Sequence, residues 1–411
     1  MTARAILMLV LDGISDRPCR SLNGKTPLQA ALTPVLDKIV SRGSCGIMDT
    51  IGPGIRPGSD TSHLCLLGYP PAQYYTGRGP LEAEGCGIHM KKGMIGFRCN
   101  YATVDTNEII IDRRAGRIHE TRSLSAAIEK SVDLSRYGIT LQFRSGAGHR
   151  AALAFHGEGL GADISSNDPK KEGVVPPPVR PCSKKARDRK TAAACNEFIQ
   201  QSRVILDEHE ANERRRHRGE PPANMVLLRG AGEMGHFEPF SQRYGLSGSV
   251  IAAATLITGI GSVIGLSRVE VPGATGSVTT NLQGKIAAAI QELGTKDFVL
   301  VNIKGADEAS HDGDARGKKE FIEKIDESLA PLLTLDDCLI VVCGDHSTPC
   351  EIRDHSADPV PLVIYGEGVR ADRVTTFDET ACAEGGLHRL QGISLMPILL
   401  DLINKAHKYG A

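Results

Sequence analysis

Tryptophan is missing from this 411-residue sequence and aromatic residues are scarce, at 4%; neither fact excludes a function. The lack of a charge excess excludes more. Lys and Arg number 48 against 49 Asp and Glu, for a formal net charge of -1. Nucleic acids and anionic membrane surfaces draw strongly basic chains through the summed field of their cations, so neither is expected as a partner. No apolar run approaches the ~20 residues of a membrane span. The nearest, GSVIAAATLITGIGSVIGL from Gly248 to Leu266, is rich in small residues and carries turn glycines at Gly259 and Gly261; it reads as a buried helix and turn. The first apolar run stops at Asp12 without a small-residue cleavage pattern, so it reads as a strand rather than a signal segment. Cysteines number 11, an odd count, and none shows CxxC spacing. That argues against a disulfide framework and for reduced thiols in a cytoplasmic protein. No internal repeat is visible.

What is present is an ordinary globular composition, 41% hydrophobic and 24% charged, at a length that suggests two domains. Ala5 to Leu11, Phe298 to Ile303 and Leu339 to Cys343 are short apolar runs without alternation, the pattern of strands buried on both faces of a parallel sheet. Amphipathic helices are expected over Pro27 to Arg42, Thr279 to Leu293, Lys318 to Leu333 and Leu395 to Lys405. Between about Lys91 and Arg229 the character changes. Short strand candidates at Phe97 to Thr103, Glu108 to Asp112, Thr140 to Ser145 and Ala151 to His156 sit beside a helix candidate at Ser123 to Val132 and a long one at Thr191 to Arg218. This reads as an α+β insert in a doubly wound, mainly parallel α/β fold. The glycine-rich stretch Tyr74 to Ile88 fits neither a Walker nor a dinucleotide pattern and reads as the crossover into it. The basic run Arg214 to Arg218 reads as a solvated helix end, where cations oppose the negative end of the dipole.

Each of the three buried strands is followed by an acid: Asp12, Asp307 and Asp345. Asp12 alone is as consistent with a helix cap as with a ligand. His311 follows Asp307 by four residues, one helical turn; His346 adjoins Asp345, and His355 lies in the polar loop beyond. Open α/β sheets place ligands outside the carboxyl ends of their strands. Mixed Asp and His side chains gathered there suit borderline divalent ions, and the pattern is best explained by two metals about 4 Å apart. Ser59, Asp60, Thr61 and Ser62 fall at or just before a helix start, where one is expected to cap. A serine there is also a candidate nucleophile, because amide N–H groups and the helix dipole favour an anionic oxygen.

The spaced set VLDG, PGSDTSH, LLGY, YTGRGPLEA, HR, RGAG, PGATG, DEASHDGD, GDHSTP and HSADPVP resembles the cofactor-independent phosphoglycerate mutases of archaeal type, in the alkaline phosphatase superfamily. The resemblance spans nearly the whole chain. It implies a phosphatase-like α/β domain from residues 1–77 and 236–411, interrupted by a substrate-binding α+β domain at 78–235. It implies interconversion of 2-phosphoglycerate and 3-phosphoglycerate, through a phosphoserine and without 2,3-bisphosphoglycerate. Carried over by residue, one metal takes Asp307, His311 and His355; the other takes Asp12, Ser62, Asp345 and His346, with Ser62 as phosphoryl acceptor. Manganese is the expected ion, with zinc, cobalt or magnesium also allowed by the ligands. Arg150 and Arg229 match motifs of the insert, and with Arg78 and Lys304 they are the expected holders of substrate carboxylate and phosphate. Asp163 and Asp168 are candidate proton shuttles.

Three positions depart from the family pattern: SSNDP at Ser165 to Pro169 replaces a more acidic run, Pro70 stands for an Asp, and Asn302 for a His. The first leaves the proton shuttle open. A phosphatase or sister phosphomutase on the same metal core, and a non-catalytic binding protein, are the competing readings. Oligomeric state is not legible.

Overall fold

Ala5–Leu11 forms strand β1, buried at all seven positions in the computed structural model, which describes residues 4–410. A strand apolar on both faces needs cover on both, and parallel neighbours with crossover helices supply it. The chain divides into two compact units, Met1–Gln73 with Glu238–Ala411, and Tyr74–Phe237. The first unit opens with β1 and β2 (Ser44–Asp49). The second holds β3 (Ile95–Val104), β4 (Ile110–Asp112), β5 (Thr140–Ser145), β6 (Arg150–His156) and β7 (Met225–Glu233). The first unit then resumes with β8 (Gly248–Ile251), β9 (Ser267–Val269), β10 (Phe298–Ile303), β11 (Cys338–Cys343), β12 (Val360–Tyr365) and β13 (His388–Gln391).

In the first unit eight strands run in the order β13-β2-β12-β11-β1-β10-β8-β9. β1 lies between β10 and β11 and is parallel to both; β8 and β9 extend the parallel set. β12 alone runs against its neighbours. Leu7, Leu9 and Leu11 of β1 pack with Leu282, Ile286 and Ala289 of helix Leu282–Leu293 and with Phe321, Ile322 and Ile325 of helix Ala315–Ser328, as the two-residue period of a strand and the four-residue rows of a helix require. Register sets the site: Leu11 pairs with Ile303, and Val10 with Cys343. The residues just past these ends, Asp12, Lys304 and Gly344 with Asp345, therefore emerge side by side.

The second unit is an antiparallel sheet, β4-β3-β6-β5, with β7 on the other edge of the long β3. Helices Arg122–Ser131 and Ala186–Asp207 cover one face. Phe97, Phe143, Phe155 and Phe198 meet there in edge and tilted contacts.

Several elements differ from the sequence reading. Pro27 to Arg42 is two helices, Pro27–Ala30 and Pro34–Val40; Pro34 lacks the N–H a continuous helix needs and pushes Thr33 out of helical geometry. Thr191 to Arg218 also breaks in two, after Asp207. His209 is extended (φ -74, ψ 131), and its Nδ1 caps helix Glu210–His217 by accepting from Ala211 N. The apolar run from Gly248 begins as strand β8, not helix; Val250 and Ile251 pair with Leu300 and Val301. A four-residue apolar run cannot be assigned by period alone. β2 and β13 were not foreseen, nor was helix Arg78–Gly85. Glycine lowers helix propensity, yet Gly79 is required where it sits: a Cβ there would stand 2.1 Å from Gly96 O.

Within the basic run, Arg214 pairs with Glu210, Arg215 and Arg218 with Glu220, and Arg216 with Asp207. The charge is answered locally. All eleven cysteines are free, and all but Cys86 and Cys182 are buried. Among the described residues no helix is long and apolar enough to cross a membrane.

Candidate active site

Gly13 makes the convergence at the strand ends sterically feasible. Its φ is +70, and a Cβ would meet Asp307 Cβ at 2.7 Å and Thr348 Oγ1 at 2.9 Å; only glycine takes that backbone without cost and leaves that space. Gly13 N donates to Asp345 Oδ1 (3.1 Å), and Asp307 N donates to Asp12 O (3.1 Å). Asp307 and His311 lie a turn apart on helix Gly305–Asp312.

Two groups of ligand-type atoms result, Asp12 with Asp345 and His346, and Asp307 with His311 and His355; within each group the atoms lie within 4.8 Å of one another. Lys304 joins them, its Nζ donating to Asp12 Oδ1 (3.0 Å) and Asp307 Oδ2 (2.5 Å). His311 Nδ1 donates to Arg353 O (2.9 Å) and His355 Nδ1 to Pro57 O (2.8 Å). Each leaves Nε2 toward Asp307 Oδ1, at 3.3 and 3.6 Å. Backbone carbonyls on the far nitrogen fix ring orientation, as metal-ligating histidines require. The His346 ring stacks on His355 with centroids 3.6 Å apart.

The electrostatics are those of crowded carboxylates. Burial and then the neighbouring Asp345 push the Asp12 carboxyl up, with Lys304 only partly opposing. Burial would also raise Asp307, but Lys304 and the bonds from His311 and His355 hold it well below the usual range. The bond with Asp307 lifts His311 to about 9, and His355 is raised against its burial by Asp307 and Pro57 O. Burial drives His346 down to about 3, so its ring is neutral. Asp345 Oδ2 is buried and makes no hydrogen bond among the described residues. Three crowded carboxylates, a neutral buried imidazole and a carboxylate oxygen without a hydrogen bond fit divalent cations; bound ions would take over the charge balance that Lys304 and the protonated His311 now supply, and would displace the His311 proton.

Helix Ser59–Leu66 starts beside this cluster. Its N-cap is Gly58, so none of Ser59 to Ser62 holds that position; Thr61 Oγ1 instead accepts from Gly58 N (3.2 Å). Ser59, the first helical residue, sets its Oγ 3.1 Å from His346 Nε2. Ser62 Oγ donates back to Gly58 O (2.8 Å). It makes no hydrogen bond to Asp12, Asp345 or His346 among the described residues. His63 is wholly buried. Its Nδ1 donates to Ser59 O (2.8 Å), and Asn302 Nδ2 bonds both His63 Nε2 (3.3 Å) and Asp12 Oδ2 (3.2 Å).

The second unit gathers cations. Arg98 faces Arg229 across β3 and β7, and on the other edge of β3 Arg150 of β6 pairs with Asn100, two residues along from Arg98. Arg78 Nε donates to Glu82 Oε1 (2.9 Å), which Arg98 Nε approaches to 3.5 Å. Burial, then Arg78, lowers the Arg98 guanidinium to about 9, with Arg229 and Arg150 adding to it. Burial also lowers Arg229. Among the described residues the Nε atoms of Arg98 and Arg229 are buried without hydrogen-bond partners. Such a cluster is poised for an anion. Asp168 is buried and engaged by Arg113 (2.8 Å) and Arg229 (3.6 Å), so its carboxylate orients arginines. Asp163 is exposed.

The sequence reading carried Ser62 over and did not set Ser59 apart from the other residues of its turn, although Ser59 Oγ is the one within hydrogen-bond reach of His346; the signal was its place at the first helical position, where the amide donors are. It also missed Arg98, a lone charge inside the apolar strand Ile95–Val104.

Comparison with known proteins identifies the family and the fold. The family model for 2,3-bisphosphoglycerate-independent phosphoglycerate mutase matches residues 40–212. A protein of that name from Methanoculleus marisnigri is 66% identical over the full length of both chains. A solved protein from Pyrococcus horikoshii superposes over both whole chains with a TM-score of 0.86 at 34% identity. The cofactor-independent phosphoglycerate mutase of Thermoplasma acidophilum covers 98% of this chain and 100% of its own, with a TM-score of 0.70 at 36% identity. The chain belongs to the family of 2,3-bisphosphoglycerate-independent phosphoglycerate mutases, isomerases that interconvert 2-phosphoglycerate and 3-phosphoglycerate without a bisphosphoglycerate cofactor.

Proposed function

We propose that Ser59 carries the phosphoryl group between the two hydroxyls of glycerate. The observation behind this is its 3.1 Å approach to His346 Nε2 from the first position of a helix. There amide donors and the dipole stabilise an alkoxide and then the phosphoryl oxygens. Ser62, expected from the family motif to be the acceptor, is the weaker candidate, because its hydroxyl is committed to Gly58 O.

In this reading Asp12, Asp345 and His346 hold one divalent ion and Asp307, His311 and His355 the other. Manganese is the ion we assign; zinc, cobalt and magnesium suit the same donors. When bound, the ions lower the pKa of the serine and neutralise charge on the transferring group. Lys304 adds a cation at the same place. Arg78, Arg98, Arg150 and Arg229 hold the substrate's carboxylate and phosphate, and keep glycerate bound while it turns to offer its other hydroxyl. Of the two proposed proton shuttles Asp163 is retained, since Asp168 is occupied by Arg113 and Arg229. The division into a metal-bearing unit and a substrate-binding insert follows from these roles. Eleven free cysteines support a reducing, cytoplasmic setting.

The test is turnover of 3-phosphoglycerate by protein supplied with Mn²⁺, with enolase reporting 2-phosphoglycerate and free phosphate followed in parallel. Isomerisation without added bisphosphoglycerate is expected. Phosphate release without isomerisation would overturn the reading.

A further inference from the structure

Thr348 is fully buried between the two ligand groups and touches one member of each. Its Oγ1 lies 3.0 Å from Asp307 Oδ1 and 2.9 Å from His346 Nδ1. A hydroxyl carries one hydrogen, and a carboxylate oxygen can only accept. The hydrogen therefore goes to Asp307, and Thr348 Oγ1 must accept from His346 Nδ1–H. That assigns the His346 tautomer: Nε2 is left with its lone pair, directed where Asp345 Oδ2 lies at 3.3 Å and Asp12 Oδ1 at 3.6 Å. Ser59 Oγ, 3.1 Å from the same nitrogen, is free to donate to it.

Thr348 is itself held from several sides. Its N donates to Ser15 O (3.0 Å), and its carbonyl accepts from Lys318 Nζ (3.2 Å). Gly13 leaves the space its hydroxyl occupies. Such a side chain cannot swing to follow one ligand without releasing the other.

We propose that Thr348 is a positioning residue that joins the two metal sites, setting the tautomer and orientation of His346 for one ion while holding Asp307 for the other, so that filling either site orders its neighbour. The inference rests on the two-metal reading above and adds a coupling between the sites.

Thr348→Val keeps the shape and removes only the hydroxyl; Thr348→Ser keeps the hydroxyl. Mn²⁺ binding to the full-length proteins, followed by the magnetic resonance of free Mn²⁺ under chelator competition, is the readout. Wild type is expected to bind two ions cooperatively. Thr348→Val should bind both about 10- to 100-fold more weakly and without cooperativity, and Thr348→Ser should restore coupled binding. A second measurement needs no variant: ring ¹⁵N shifts of His346 in chelator-treated wild type should show the proton on Nδ1. Wild-type affinities and cooperativity in Thr348→Val, or a proton on Nε2, would overturn the proposal while leaving the two-metal reading intact. Wild type that binds no Mn²⁺ would overturn both.

Discussion

Ser59 Oγ stands 3.1 Å from His346 Nε2, while Ser62 Oγ, one turn on, donates to Gly58 O at 2.8 Å. The two serines thus separate by partner, although they share a motif and a helix. Ser59→Ala should lower turnover by about 10⁴-fold or more, as loss of a nucleophile does. Ser62→Ala removes one local hydrogen bond, and should cost about 1 kcal/mol of stability with activity largely kept. Mass spectrometry of acid-quenched enzyme should find phosphate on the peptide at position 59. Phosphate at position 62, or an active Ser59→Ala, would reverse the assignment.

Gly13 stands against a member of each candidate ligand group, its N donating to Asp345 Oδ1 and its Cα facing Asp307. Any Cβ would sit within 3 Å of Asp307 backbone and side chain as well as Thr348 Oγ1, and the φ of +70 is itself strained for other residues, by about 1 kcal/mol or more. Gly13→Ala should therefore lose more than about 2 kcal/mol and bind Mn²⁺ poorly, while Gly24→Ala, with φ +79 but nothing within 4 Å, should show the backbone cost alone. Equal losses in urea titrations of the two variants would mean that crowding at Gly13 is not what matters.

That Asp12, Asp307 and Asp345 gather at one sheet edge was legible because strands buried on both faces have an unmistakable composition, and each of these acids follows one within a few residues. Strands β2 and β13 were not legible: Ser44–Asp49 mixes Ser, Gly and Asp with apolar residues, and His388–Gln391 is mostly exposed, so their state depends on pairing rather than pattern. The choice between Ser59 and Ser62 was hidden for a different reason. Both fall within one turn of a helix start, and only the position of Gly58 as cap decides which hydroxyl is consumed by the helix itself. Arg98 escaped because a single arginine in a strand reads as an edge charge until Arg78, Arg150 and Arg229 are seen around it.

Asn302 stands where relatives of this type were expected to carry His, and its amide fills two needs at once. One N–H goes to Asp12 Oδ2 and the other to His63 Nε2, while His63 Nδ1 returns a bond to Ser59 O. The chain of bonds links a ligand carboxylate to the helix that presents Ser59. Asn302→Leu, of similar volume, would leave two buried acceptors without donors and should cost about 1–3 kcal/mol for each that stays unpaired. The Mn²⁺ dependence of activity should shift to higher concentration as Asp12 loses its support. Unchanged stability together with an unchanged Mn²⁺ requirement would show that the chain carries no such coupling.

Two buried lysines should respond to removal in opposite ways. Lys318 Nζ donates to Asp16 Oδ2 (2.9 Å), Ser15 O and Thr348 O, so Lys318→Met strands a buried carboxylate and should destabilise by about 3–5 kcal/mol. Lys285 is equally buried, and among the described residues its Nζ donates to Asn302 O (2.9 Å) alone; burial takes it from the ordinary 10.5 down to about 8, with Asp12 only partly opposing. The unfolded chain holds that proton up to its ordinary value, whereas the folded chain releases it near 8. Stability from this group is therefore complete above about 10.5 and is lost as the pH falls through about 8. At pH 7 the folded protein bears the full cost of a buried charge, about 3 kcal/mol, against about 1 kcal/mol for the hydrogen bond to Asn302 O. Lys285→Met should consequently be more stable than wild type at pH 7, by about 2 kcal/mol on these terms. The gain should shrink as the pH approaches 10, because wild type recovers what the variant never lost. Urea unfolding of both proteins at pH 7 and pH 9.5 measures it, and a variant less stable than wild type at pH 7 would show that Lys285 serves Asp12 as a needed counter-charge.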